Sequence, residues 1–202
     1  MDLSRFLMFC GCALLLASCA GFQASTTHAP RGFWRPNRSD RHGLETGRWR
    51  TYYDEANRQP CTAGRYKHGR PVRTFRYYAP TGQLDRSEAY GRDGLCEVTY
   101  WHSGGQVARR GHAQWVTGKG RAPRFYWYGT WTSYSPEGQT TAVQTYTDGT
   151  ITRAEDYEQG RLTRVETYEG NRRVRTESYS DGQLIKVETF DHGRRTGTTQ
   201  TL

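Results

Sequence analysis

The sequence predicts an all-β protein: an elongated antiparallel meander of β-hairpin repeats behind a disordered N-terminal tether. Three observations carry this reading. Aromatic residues are abundant in the 202-residue chain, with 14 Tyr, 6 Trp and 7 Phe. Past residue 18, Leu, Ile, Val and Phe number only 21 of 184 residues, too few for the aliphatic core of a Rossmann or barrel enzyme. Tyr134, Tyr146, Tyr157, Tyr168, Tyr179 and Phe190 recur at intervals of 12, 11, 11, 11 and 11. From Tyr146 onward each is followed by a turn dipeptide: Asp148-Gly149, Gln159-Gly160, Gly170-Asn171, Asp181-Gly182 and His192-Gly193. Asp-Gly and its relatives favour two-residue type I′ turns, which require φ > 0 at both positions. One strand plus one turn is the unit, and a chain of such units is a meander.

At the N-terminus, Arg5 precedes a short apolar run that includes Phe6-Leu7-Met8-Phe9 and Leu14-Leu15-Leu16. The run is too short to span a bilayer and has the layout of a secretory signal. Leu16-Ala17-Ser18-Cys19 resembles the bacterial lipobox. That resemblance implies cleavage after residue 18, and diacylglycerol plus a further acyl chain such as palmitate on Cys19. It also implies export to the outer membrane, since Ala20 stands where an Asp would retain the protein. Several acyl chains anchor stably where one does not. Residues 20–43 carry Ser, Thr, Pro and Gly without periodicity and read as a tether. The predicted organisation is a signal peptide at 1–18, lipidated Cys19 with a flexible tether at 19–43, and a repeat domain at 44–202. The domain is irregular over 44–136 and regular over 137–202.

The two-residue turns predict a register. Around Asp181-Gly182, Tyr179 faces Leu184, Glu177 faces Lys186 and Arg175 faces Glu188. The same rule at the two preceding turns sets Glu166 against Arg175, Arg164 against Glu177, Glu155 against Arg164 and Arg153 against Glu166. All six charged pairs are of opposite sign. Two charge ladders on one face result, Glu155-Arg164-Glu177-Lys186 and Arg153-Glu166-Arg175-Glu188, which fix register more than they stabilise. Thr141-Val143-Thr145 and Thr163-Val165-Thr167 then mark the opposite face.

Residues 44–136 vary the same theme. Gly47-Arg48-Trp49-Arg50-Thr51-Tyr52 and Gly129-Thr130-Trp131-Thr132-Ser133-Tyr134 share Gly-x-Trp-x-x-Tyr. Further units are Tyr66-Lys67-His68-Gly69, Tyr78-Ala79-Pro80-Thr81-Gly82, Trp101-His102-Ser103-Gly104 and Trp115-Val116-Thr117-Gly118. These motifs resemble the MORN repeat variant of YwqK-type antitoxin proteins over roughly residues 45–197. The resemblance implies hairpin-built sheets used for binding, in antitoxin or immunity proteins and in scaffolds for proteins or lipids. It carries over no catalytic residue and no cofactor.

The net charge of +9 is lopsided. Residues 19–140 hold 19 Lys and Arg against 9 Asp and Glu, whereas 141–202 hold 9 against 10. Basic residues interleaved with aromatics suit nucleic acid in a cytosolic protein. Export excludes that partner and leaves anionic lipid, glycan or an acidic protein. The expected binding surface is Trp49, Tyr52, Arg73, Arg76, Trp101, Trp115, Trp127 and Trp131, with packing of the hairpin stack as the competing role for each. Cys61 and Cys96 lie in an oxidising compartment where pairing is common. Yet they sit three units apart, roughly 14 Å, beyond the roughly 7 Å that a bridge spans. A disulfide and two buried reduced thiols both stay open. His68, His102 and His192 sit at turn tips and are not read as metal ligands. Glycosidase-like carboxylates are discounted because Arg neighbours lower their pKa, the wrong direction for a general acid. The expectation is a non-catalytic lipoprotein of the bacterial envelope, anchored in the outer membrane and facing the periplasm. It binds a protein or an anionic lipid or glycan, as an antitoxin or immunity protein or as a structural or glycan-binding lipoprotein. No cofactor or metal is expected.

Overall fold

The computed structural model describes residues 35–91, 94–116 and 124–200. The signal peptide, Cys19 and the tether as far as residue 34 lie outside the described residues. The described elements are all strands: β1 (Arg38–Ser39), β2 (Glu45–Tyr52), β3 (Pro60–Lys67), β4 (Arg70–Pro71), β5 (Arg73–Tyr78), β6 (Leu84–Tyr90), β7 (Leu95–Trp101) and β8 (Val107–Val116). They continue as β9 (Arg124–Tyr134), β10 (Thr140–Thr147), β11 (Thr150–Glu158), β12 (Arg161–Glu169), β13 (Arg172–Ser180), β14 (Gln183–Asp191) and β15 (Arg194–Gln200). All belong to one antiparallel sheet whose strand order follows the chain, with β4 pairing only to β3. The strong contacts of each strand are with its sheet neighbours, so no second layer of described residues covers either face.

The turns are those the dipeptides call for. Asp148-Gly149, Gln159-Gly160, Gly170-Asn171, Asp181-Gly182 and His192-Gly193 all have positive φ at both positions, as does His68-Gly69. The first Tyr–aliphatic pairs also stand where expected: Tyr146 faces Ile151, Tyr157 faces Leu162 and Tyr179 faces Leu184. The tether is shorter than expected. β1 pairs with β2, and the Asn37 side chain both accepts from the Arg50 amide and donates to its carbonyl, at 2.7 and 2.6 Å. Residues 38–43 therefore belong to the sheet domain.

The predicted charge ladders do not form. Each regular strand carries one extra residue just past the turn, so the register shifts by one before the charged positions meet. Glu177 faces Val187 instead of Lys186, and Thr176 faces Glu188 in place of Arg175. Glu166 faces Thr176 instead of Arg175, and Arg164 faces Ser178 instead of Glu177. Glu155 faces Val165 instead of Arg164, and Arg153 faces Thr167 instead of Glu166. Such a β-bulge strands a carbonyl on the partner strand. In two units the bulged residue is a threonine that satisfies it: Thr152 Oγ1 donates to the Thr145 carbonyl at 3.2 Å, and Thr163 Oγ1 to that of Asp156 at 3.1 Å.

The shift has a global effect, because a one-residue slip moves every side chain to the other face. Direct cross-strand partners share a face. One face therefore carries Glu155, Val165, Glu177 and Val187 in a row, and the other carries Ala154, Glu166, Thr176 and Glu188. The Arg-x-Glu-x-Tyr triplet alternates faces from strand to strand, always beside a smaller residue. In β11 and β13 the carboxylate is held along its own strand. Arg153 lies 2.8 Å and the Tyr157 hydroxyl 2.6 Å from Glu155; Arg175 and Tyr179 hold Glu177 at 2.8 and 2.7 Å. Tyr168 and Arg173 hold Glu166, while Arg164 turns to Asp156 across the strand at 2.7 Å. These long side chains roof the small residues between them. Val165 is 1% exposed and Thr176 5%, although no other layer packs on them.

The irregular half buries its centre differently. Its core cluster is Cys96, Val98, Ala113 and Trp131, with Tyr90, Tyr100, Phe125, Trp127 and Tyr146 packed against it. Two glycines let aromatic rings lie flat on the backbone. A Cβ on Gly64 would stand 2.1 Å from the Phe75 ring, and one on Gly111 2.1 Å from the Trp131 ring. The long spacing near 109–124 is taken up by the lengthened hairpin of β8 and β9.

Two outcomes follow from this packing. Gly111→Ala overpacks a site whose neighbour is a rigid indole, and about 2 kcal/mol or more of stability is expected to be lost; equilibrium urea unfolding reads it. The second concerns acid. The Tyr157 and Tyr179 hydroxyls, aided by Arg153 and Arg175, hold Glu155 and Glu177 below the usual carboxylate range. Burial raises Glu166, but Tyr168 and Arg173 outweigh it, and Lys186 and Arg195 lower Glu188. Native carboxylates of this kind bind fewer protons than the unfolded chain does. Their contribution is complete above the unfolded value of about 4.3, and it is lost as pH falls through the lower native values. The urea midpoint should stay level from neutral pH to about 5 and fall below about 4.3. The Tyr157→Phe, Tyr179→Phe double variant should show a shallower fall.

Candidate functional site

The two faces differ in chemistry within the first half of the sheet. Starting at β2, direct partners place Arg50, Ala63, Arg76, Ser87, Thr99 and Arg110 in one row on one face. Arg48 and Arg65 face each other in the next row. Arg73 reaches the same region because β4 and β5 are one strand broken by a bulge. The Val72 amide donates to the Arg65 carbonyl at 2.8 Å, and Arg73 follows with φ 64°. A groove of about 350 Å³ results, lined by Arg48, Arg50, Arg65, Arg73 and Arg76 together with Trp49, Ala63, Gly64 and Thr74. Among the described residues no carboxylate lines it.

These five arginines are exposed, and none forms an ion pair or side-chain hydrogen bond with another described residue. The contrast with β11–β15 is sharp, since Arg153, Arg161, Arg164, Arg173, Arg175, Lys186 and Arg195 all pair there. Direct opposition of like charges, as at Arg48 and Arg65, destabilises a sheet. The first strands thus carry a positive field that the fold itself does not neutralise. Elsewhere on the same face a second hollow, lined by Thr132, Gln139, Thr140, Val143, Tyr157, Gln159 and Gly160, has no charged side chain.

The residues expected to form one binding surface are divided by the sheet. Arg73 and Arg76 line the groove, whereas alternation along β2 turns the Trp49 side chain to the opposite face, where its ring lies edge-on to Tyr66, 5.6 Å between centroids. Tyr52 faces Pro60 at the end of β2. Trp101 packs on Ser87, its Nε1 donating to Oγ at 3.3 Å. Alternation along β8 and β9 puts Trp115, Trp127 and Trp131 on the opposite face. Trp131 is 0% exposed, donates to the His112 carbonyl at 3.0 Å and stacks on Trp127 at 4.2 Å. It is a core residue and not a contact for a partner. Arg109 lies over both indoles, 4.4 and 4.9 Å from their centroids.

Sequence reasoning missed Arg48, Arg50 and Arg65. The seven-residue connection between β2 and β3 has no turn dipeptide from which to count register. It is closed instead by the Asp54 carboxylate, which accepts the Arg58 and Gln59 amides. It also missed Arg86-Ser87-Glu88-Ala89-Tyr90, which is the repeat triplet in the irregular half. Glu88 is 3% exposed and accepts from Tyr90 and Tyr77 at 2.6 and 2.9 Å, with Arg86 at 3.2 Å. The spacing Arg-x-Glu-x-Tyr, shared with Arg153-x-Glu155-x-Tyr157, was the available signal.

Cys61 and Cys96 are both buried and are not joined to each other; β5 and β6 lie between their strands. Burial, with Glu88 adding to it, pushes the Cys96 thiol up to about 12, which keeps it protonated and unreactive at neutral pH. Among the described residues no three His, Cys, Asp or Glu side chains converge as metal ligands, and no helix is long and apolar enough to cross a membrane. No family model matches the chain, and no curated protein matches it, so the MORN resemblance rests on the quoted residues alone.

Proposed function

We propose that this protein is a non-catalytic, lipid-anchored binding protein of the bacterial envelope, facing the periplasm, and that it docks an anionic envelope component on the arginine face of β2–β5. The observation that carries the reading is the set of five exposed arginines without intramolecular partners, clustered on one face beside no acidic side chain of the described residues, against a second half in which seven of the nine basic side chains pair within the fold. An array of this kind attracts anions at no cost in broken ion pairs, and near an anionic surface each basic residue contributes about 1 kcal/mol. The lipobox-like Leu16-Ala17-Ser18-Cys19 supports the anchor. An immunity protein that captures an acidic toxin would present the same face, and its mark would be a toxin gene beside this one.

Two experiments test this. Labelled palmitate should be incorporated into the full-length protein expressed in a Gram-negative host and should be absent from Cys19→Ser; incorporation that survives the substitution contradicts the anchor. Sedimentation with vesicles of phosphatidylglycerol and phosphatidylcholine reads the face. Arg50→Ala with Arg76→Ala should weaken binding by about ten-fold or more. The charge-matched Arg172→Ala, Arg194→Ala variant should weaken it far less, and rising salt should suppress binding throughout. Equal losses in the two variants contradict the assignment.

A further inference from the structure

The register around Ala63 holds more than a general basic patch. On the arginine face, the direct partners of Ala63 on the two neighbouring strands are Arg50 and Arg76. Two residues along β3 on the same face comes Arg65, itself opposite Arg48. Three arginines therefore surround one methyl group. Two stand a single strand spacing away, about 4.8 Å, and the third about 6.7 Å along the strand. The floor is the smallest available: Ala63, beside Gly64, which has no side chain. Thr74 adds a hydroxyl to the wall, and Cys61, the next residue on the other side along β3, is buried.

Resting on the reading that this face binds anions, we propose that the hollow over Ala63 is a cradle for a phosphate monoester. The match is one of charge and geometry. Three fixed cations with no carboxylate among them favour a dianion over a monoanion. Each guanidinium is a planar fork of donors suited to bidentate contact with phosphate oxygens. A phosphate monoester offers three terminal oxygens, one for each of Arg50, Arg65 and Arg76, whereas a carboxylate or a phosphodiester offers two. The methyl floor leaves room for the group to sink between the arginine stems, and Arg48 and Arg73 stand outside the ring to meet whatever the ester is attached to. A bulkier residue at position 63 would fill that room from below.

Position 63 also supplies the test. Ala63→Glu grows a carboxylate from the floor into the middle of the three guanidiniums and replaces the ligand with an internal ion-pair cluster. The full-length chain is titrated with phenyl phosphate, followed by NMR signals of the arginine Nε–H groups, and sedimented with vesicles containing phosphatidic acid, a monoester, or phosphatidylglycerol, a diester. The expected result is a response of the arginine signals to phenyl phosphate and a preference for phosphatidic acid. Both should be lost by more than about ten-fold in Ala63→Glu, with a urea midpoint equal to or above wild type. Gln200→Glu, an equal change of charge at an exposed strand end, should keep both. If Ala63→Glu binds as Gln200→Glu does, the cradle is wrong while the anion-binding face survives. Binding to phosphatidic acid vesicles without any response to phenyl phosphate also overturns the cradle, because membrane charge alone then accounts for it. If the wild-type protein binds neither vesicle, the functional reading fails as well.

Discussion

The extra residue that each regular strand inserts after its turn is the constraint on which the rest of this sheet depends. Without it, eleven-residue units would stack their charged triplets on one face and leave the other to threonine and valine. With it, the triplets alternate, and each face receives a regular succession of one long, charged strand and one short, β-branched strand. A sheet with no second layer has to shield its own centre, and this alternation provides the means. The arginine, glutamate and tyrosine of one strand lean over the alanine, valine or threonine of the next. The carboxylate is fixed from one side by a cation and from the other by a phenol.

The same device appears in two dialects. In β11–β15 the roof is polar, and most of its charges are paired. In β5–β9 the triplet Arg86, Glu88 and Tyr90 is sunk among aromatic rings, Arg86 lies 3.9 Å over Tyr77, and glycines at 64 and 111 bring Phe75 and Trp131 down onto the backbone. The first half thus gains a true core on one face. The unmatched arginines stand on its other face. The core cluster and the unpaired arginines occupy opposite sides of one sheet.

How much of this was legible in the sequence depended on whether a local signal fixed the geometry. The glycine dipeptides set the turns, and the period set the strand count in the second half, because both act within a few residues. The bulge was not legible from pairing rules, since a threonine at position 152 or 163 reads as an ordinary strand residue until the stranded carbonyl opposite it is considered. For Trp127 and Trp131 the sequence left binding and packing open; Trp131 is in the core and Trp127 packs against it, because which face an aromatic occupies is a matter of register and not of type. Arg48, Arg50 and Arg65 were invisible for the same reason: the loop before β3 is closed by Asp54, and it gives no count from which to tell which arginines meet.

The register itself is open to one direct measurement. In a NOESY spectrum of the isotopically labelled protein, cross-strand backbone contacts should connect Val165 to both Glu155 and Glu177, and Thr176 to both Glu166 and Glu188. Contacts that connect Arg164 to Glu155 and Glu177 instead would show unbulged strands with all triplets on one face, and the account of shielding would not stand.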